Sequence, residues 1–246
     1  MTKPIKKAGF AQGIYEQSAT AKETLGTLRI TQDGRKFRYA KAGAADLVAG
    51  NMGLGAALNA AHVNEAILAA VAIGSGSLDL TVTAGSALAA NQLKGGYFQV
   101  TDGTGQGQNL MIAGNSVISA SGTAIQIALD DGIKVALDTT SEFTLVQAPW
   151  YATYESATGE AMVAGVAPIA VTTLYYYWAQ TGGVANVLQE ATDAVGCNMC
   201  VSTATAGAVV SVTTTAVVAG LPIVGYNYGT AAGAGGEYSP VFLTID

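Results

Sequence analysis

Short runs in which apolar and polar residues alternate, each closed by a glycine-rich turn, recur along this chain about every 8 to 12 residues. That rhythm constrains the fold more than any other feature, because a period of two places one side of each run toward a core and the other toward solvent. LDLTVT at Leu78–Thr83 alternates strictly, and GGYFQVTDGTGQGQNLMIAGN at Gly95–Asn115 reads as strand, glycine turn, strand. IQIAL at Ile125–Leu129 and EFTLVQ at Glu142–Gln147 continue the pattern. VAPIAVTTLYYYWAQTG, ANVLQEAT, NMCVST, GAVVSVTTT, LPIVGYNYG and EYSPVFLTID extend it toward Asp246. The 31 glycines in 246 residues, against a usual share of roughly 7%, supply the turns. The expected fold is mainly β, with short strands forming a sandwich or barrel-like body.

The segment Gly26–Gly43, GTLRITQDGRKFRYAKAG, predicts a basic β-hairpin. Asp33-Gly34 suits a two-residue type I′ turn, which would set Ile30 opposite Phe37 and Leu28 opposite Tyr39 on an apolar face. Arg29 would then oppose Arg38, a repulsive pair unless solvent or an anion lies between them. Residues 1–41 hold nine basic and three acidic side chains, whereas residues 42–246 hold only Lys94 and Lys134 against fourteen acids. Two readings fit: a charged leader that grips a partner, or a basic leader that folds back on its own acidic body. Met1–Leu25 has few large apolar residues and reads as an extended arm, which together with the hairpin forms an N-terminal region of residues 1–64. Residues 65–148 and 149–246 are expected as two β domains, with Ala148-Pro149-Trp150 marking the boundary. Alanines over 56–73 favour helix by propensity, but a strand from Ala66 to Ile73 in a hairpin with Leu78–Thr83 is preferred, since Gly74–Ser77 is a turn.

Chemical motifs are sparse. Gly103–Gly107 leads into a strand, so it reads as a hairpin turn and not as a dinucleotide loop. Cys197 and Cys200 form a lone C-x-x-C in a β context, without the further ligands of a zinc site. His62 is the one histidine, with Glu65 three residues on and no nucleophile motif to pair with it. Asp130, Asp131, Glu155 and Glu160 fall in turn-like sequence without glycosidase spacing. No catalytic residue, cofactor or metal is expected. MTKPIKKAGFAQ has no apolar run of the signal-peptide kind and no stretch reads as a membrane span, so no membrane partner is expected. The acidic body argues against nucleic acid. Tyr175, Tyr176, Tyr177 and Trp178 alternate on a strand and read as core or subunit-interface packing, with a glycan platform as the other reading.

Three segments, LGTLRITQDGRKFRYAKAG, GSGSLDLTVTAGSALAANQLKGGYFQVTDGTGQGQNLMIAGN and GLPIVGYNYGTAAGAGGEYSPVFLTID, resemble structural proteins of tailed-bacteriophage particles, particularly head decoration or cement proteins. The resemblance implies a small oligomer, usually a trimer, on the outer surface of the virion head. There it would hold adjacent major capsid protein subunits together, after synthesis in the host cytoplasm. It implies no active site. With the basic leader as the anchor, the expected capsid contacts are Lys3, Lys6, Lys7, Arg29, Arg35, Lys36, Phe37, Arg38, Tyr39 and Lys41. The other functions considered are a tail or fibre component binding host-surface glycan and a carboxylate-based polysaccharide hydrolase.

Overall fold

Side chains that alternate in sequence alternate in burial wherever a strand has one covered face. A computed structural model of the chain describes residues 9–85, 87–157, 161–212, 220–229 and 235–246. It is almost entirely β, with antiparallel sheets, one of them nearly closed and barrel-like. The strands are β1 (Leu28–Ile30), β2 (Lys36–Lys41), β3 (Met52–Leu54), β4 (Glu65–Ala66), β5 (Ser77–Thr81), β6 (Tyr97–Asp102), β7 (Asn109–Asn115) and β8 (Ala124–Leu129). They continue as β9 (Glu142–Val146), β10 (Val163–Val166), β11 (Tyr176–Leu188), β12 (Asn198–Val201), β13 (Val209–Ser211), β14 (Ile223–Asn227) and β15 (Tyr238–Thr244). Two compact units replace the three expected regions: residues 1–56 with 150–246, and residues 57–149. The expected break at Pro149 marks the end of an inserted unit. The N-terminal strands are not a separate region, because β2 pairs with β11 across more than 130 residues of sequence.

In the inserted unit six strands run in the order β4-β9-β6-β7-β8-β5. β6 and β7 form the hairpin read from sequence, with Phe98 opposite Leu110. The expected hairpin between Ala66–Ile73 and Leu78–Thr83 is not formed. β5 instead pairs with β8, which sets Leu78 opposite Ile127 and Leu80 opposite Ile125; these apolar cross-strand pairs complete a buried face. The segment before β5 pairs elsewhere: Ile67 and Val71 pack on the core, with Val71 bridged to Leu137, while Leu68 and Ile73 are exposed. Of the helix considered over 56–73, only a 3-10 turn at Ala60–His62 forms.

In the larger unit the main path is β1-β2-β11-β15-β14-β12-β13, with β10 and β3 attached through β11. β13 returns to the far end of β11, where Glu190 N–H donates to the Val209 carbonyl. The two stretches read as separate strands, LYYYWAQTG and ANVLQ, form one 13-residue strand, β11.

The β1–β2 hairpin forms one residue out of the expected register. Leu28 lies opposite Arg38, Arg29 opposite Phe37 and Ile30 opposite Lys36. The turn is a three-residue loop, with Gly34 N–H donating to Thr31 O and Thr31 N–H to Arg35 O. Gly34 takes a φ of +83°, which is the left-handed residue such a loop requires. A slip of one residue exchanges the two faces of a strand. Leu28 and Ile30 are therefore exposed, Arg29 joins the inner face, and the expected Arg29–Arg38 repulsion does not arise.

Candidate functional site

The expected contact surface was the basic leader, and its described residues pack on their own unit. Gln12 is buried and organises the packing. Its Nε2 donates to the carbonyls of Glu16 (2.8 Å) and Tyr176 (3.0 Å), and its Oε1 accepts from the Tyr39 hydroxyl at 2.7 Å. Its carbonyl accepts from Trp178 Nε1 (3.0 Å) and Arg29 Nη1 (2.8 Å). Ser18 and Tyr176 exchange backbone hydrogen bonds, and Phe10 meets Trp178 edge-on at 5.0 Å. Residues 9–25 are thus a lid on their own core, while residues 1–8 of the expected arm lie outside the described residues. Lys3, Lys6 and Lys7 lie outside the described residues.

Each described basic residue of the hairpin has an internal partner. Arg29 lies 4.8 Å from the Phe10 ring centroid and 5.5 Å from that of Trp178. Arg35 pairs with Asp33 at 2.7 Å and donates to the Tyr15 hydroxyl at 3.2 Å. Hydrogen bonds from Thr31 and then Arg35 hold the Asp33 carboxyl down at about 2. Lys36 Nζ donates to the Asp246 carbonyl at 2.8 Å. Arg38 grips the Asp246 carboxylate through Nε (2.5 Å) and Nη2 (2.9 Å) and lies 5.1 Å over Trp150. That grip lowers the Asp246 pKa. Lys41 Nζ is 5.0 Å from the Tyr151 ring and 5.4 Å from that of Tyr176. The second reading of the charge asymmetry, a leader folded on its own body, describes these residues.

Phe37, Tyr39, Tyr177 and Trp178 are wholly buried, so within this fold they are core and not contact surface. The alternation read for the aromatic run holds: Tyr177 packs with Ala40, Leu47 and Val171, while Trp178 packs with Phe37 and Tyr39 on the other side. Both faces of β11 are covered here, which leaves Tyr175 and Tyr176 half-buried beside them. Burial pushes the Tyr177 and Tyr39 hydroxyl pKa values up.

Of the remaining candidates, Glu160 lies outside the described residues, and Glu155 and the two cysteines make structural contacts. Glu155 accepts from Val48 N–H and Asn51 Nδ2 and braces a loop. His62 is buried at the 3-10 turn, and burial lowers its pKa. Cys197 and Cys200 are free thiols on and beside β12, with pKa values raised by burial.

What sequence reasoning missed is an uncharged aromatic face on the outer side of β11, β15 and β14. Val184 lies opposite Phe242, which lies opposite Tyr226. The three are 42%, 43% and 48% exposed and form one cross-strand row. Tyr238 and Tyr228 extend it. A signal was present: β15 carries large apolar residues in both phases, Val241 and Leu243 inward and Tyr238 and Phe242 outward. Comparison with protein-family models, with curated proteins and with solved structures returns no match.

Proposed function

We propose that this chain is a structural protein of tailed-bacteriophage heads, of the decoration type. It binds the outside of the assembled capsid and clamps adjacent major capsid protein subunits, as a homo-oligomer taken to be a trimer. The observation that supports this reading best is the aromatic row Val184–Phe242–Tyr226. A row of exposed aromatic and aliphatic side chains on a rigid sheet is the composition of an interface core. Binding to the assembled lattice, in preference to free subunits, stabilises the particle by mass action. Several subunits docking together multiply a modest single-site affinity.

The test is to assemble heads without this protein, add the purified chain and follow co-sedimentation and the temperature of head disruption. Wild-type protein co-sediments and raises that temperature. Phe242→Glu keeps its fold but loses binding by roughly 30-fold or more, the cost of about 2 kcal/mol typical of a central aromatic anchor. Wild-type protein that stays in the supernatant ends the proposal. A second reading, a tail or fibre component that holds a host-surface glycan, is favoured by the outward rings of Tyr226, Tyr228 and Tyr238; retention on a glycan array separates it from the first.

A further inference from the structure

The inserted unit carries an apolar stretch that its own fold leaves uncovered. Residues Ala66–Ile73, AILAAVAI, hold no charged or polar side chain. Only Ile67 and Val71 turn toward the core; Ala66, Leu68, Ala69, Ala70, Ala72 and Ile73 are exposed. Leu68 and Ile73 keep 68% and 67% of their surface open, more than any of Val184, Phe242 and Tyr226. An exposed apolar run of this length is the mark of a surface that something covers.

The stretch is tied down along its length. Ile67 N–H donates to Ser141 O at 2.9 Å, Val71 and Leu137 exchange two backbone hydrogen bonds, and Gly74 N–H donates to Ile133 O at 2.8 Å. Between the last two ties lie Ile73 on one segment and the exposed Val135 on the other. Gln108 holds Val135 in place: its Oε1 accepts from the N–H groups of Lys134 and Val135 at 2.9 and 3.0 Å, and its Nε2 donates to the Val135 carbonyl at 3.0 Å. The result is a fixed apolar ribbon, at most roughly 23 Å long over its seven residue steps, with alanines in the middle and large side chains at Leu68 and Ile73.

The charges at its rim say what covers it. Residues 42–246 hold fourteen acids and only two bases, Lys94 and Lys134. Lys134 adjoins Val135, and its Nζ lies 3.6 Å from Asp131 with 59% and 76% of the two side chains open to solvent. A rim that bears both signs complements a second copy of itself, whereas the acidic remainder of the body repels one.

We propose that this ribbon is where copies of the chain meet. The same patch on each subunit faces a common symmetry axis, the alanines let the backbones approach closely, and Lys134 of one subunit pairs with Asp131 of the next. The inference names the contact of the homo-oligomer in the proposed function and rests on that oligomer, not on the capsid.

The test is analytical ultracentrifugation of the full chain across the micromolar range, without capsids. Wild type sediments as an oligomer. Leu68→Asp keeps its circular-dichroism melting curve, because the side chain is exposed, but associates at least roughly 30-fold more weakly, since association would bury an unpaired charge. Val117→Asp, equally exposed on the same unit but outside the ribbon, associates like wild type. Lys134→Asp weakens association by roughly fivefold, and adding Asp131→Lys to it restores the wild-type value. A wild-type chain that stays monomeric overturns the proposal, as does a folded Leu68→Asp chain that associates like wild type or a double variant that does not recover. Leu68→Asp that associates normally but no longer co-sediments with heads gives the ribbon to the capsid and overturns it too. A wild-type oligomer, dispersed by Leu68→Asp, that never co-sediments with heads supports this inference while ending the capsid reading.

Discussion

Replacing Gln12 by alanine tests whether the leader is a lid on its own core. The side chain is the acceptor for the Tyr39 hydroxyl, which is buried, and the donor to Glu16 and Tyr176. Removing it leaves the Tyr39 hydroxyl without that acceptor, a loss of about 1–3 kcal/mol, and ends the bond to Glu16, worth about 1 kcal/mol. The Tyr176 carbonyl keeps Ser18 N–H and adds little. The sum is about 2–4 kcal/mol. The two tryptophans, Trp150 and Trp178, both belong to the larger unit, so tryptophan fluorescence in urea follows that unit without interference from the inserted one. With a slope of about 2 kcal/mol per molar urea, the midpoint falls by about 1–2 M. A midpoint for Gln12→Ala within about 0.3 M of wild type would refute the reasoning, because the leader would then be dispensable to the core it covers.

Three further outcomes are expected. Asp246→Asn removes the two-pronged bond from Arg38; solvent reaches about a quarter of each side chain, so the loss is about 1–2 kcal/mol at low salt, read as a drop of about 2–6 °C in the unit's melting temperature. Because folding lowers the Asp246 pKa, this contribution is full above the unfolded value of about 4 and fades as pH falls through the lowered one, so wild-type and variant melting curves converge in acid. Gly103→Ala destabilises the inserted unit by about 3 kcal/mol or more, since φ is +72° and a Cβ would lie 1.9 Å from the Thr140 carbonyl oxygen; Gly107→Ala, at φ +89° with open space around it, costs about 1–2 kcal/mol, as amide exchange of β6 and β7 will report. Cys200 is inert to a thiol reagent at pH 8 until the larger unit opens, reacting at least roughly 100-fold more slowly than free cysteine; rapid labelling of the native chain would contradict its burial.

Class and strand content were legible because burial of alternate residues is a local signal. Leu78 and Leu80 against Asp79 and Thr81, or Phe98 and Val100 against Gln99, announce a strand with one covered face. Pairing was less legible. β5 finds its neighbour nearly fifty residues away in β8, and no property of either sequence alone chooses that partner over the nearer Ala66–Ile73. Gln12 carried no signal at all, since a polar residue in an irregular stretch reads as solvent-facing until the aromatic groups it bonds are brought to it from β2 and β11.

The hairpin shows why one local choice decided the functional reading. Asp33-Gly34 admits a two-residue loop or the end of a three-residue one, and the two differ by one step of register. The first would have paired Arg29 with Arg38 outward and favoured an anionic partner. The second, which forms, turns Arg29 inward onto Phe10 and Trp178. It leaves Arg38 to reach Asp246. The inner face then needs something to cover Phe37, Tyr39 and Trp178, and residues 10–18 do so through Gln12 and Phe10. Once those basic groups are satisfied within their own unit, the proposed capsid contact is left the surfaces the fold keeps open. On the described residues of the larger unit the one described above is the uncharged row Val184–Phe242–Tyr226. Its Val184 lies on β11, the strand that also buries Trp178. The element that anchors the leader is thus the one that carries Val184 of the open row, and Gln12→Ala tests the leader without touching Val184, Phe242 or Tyr226.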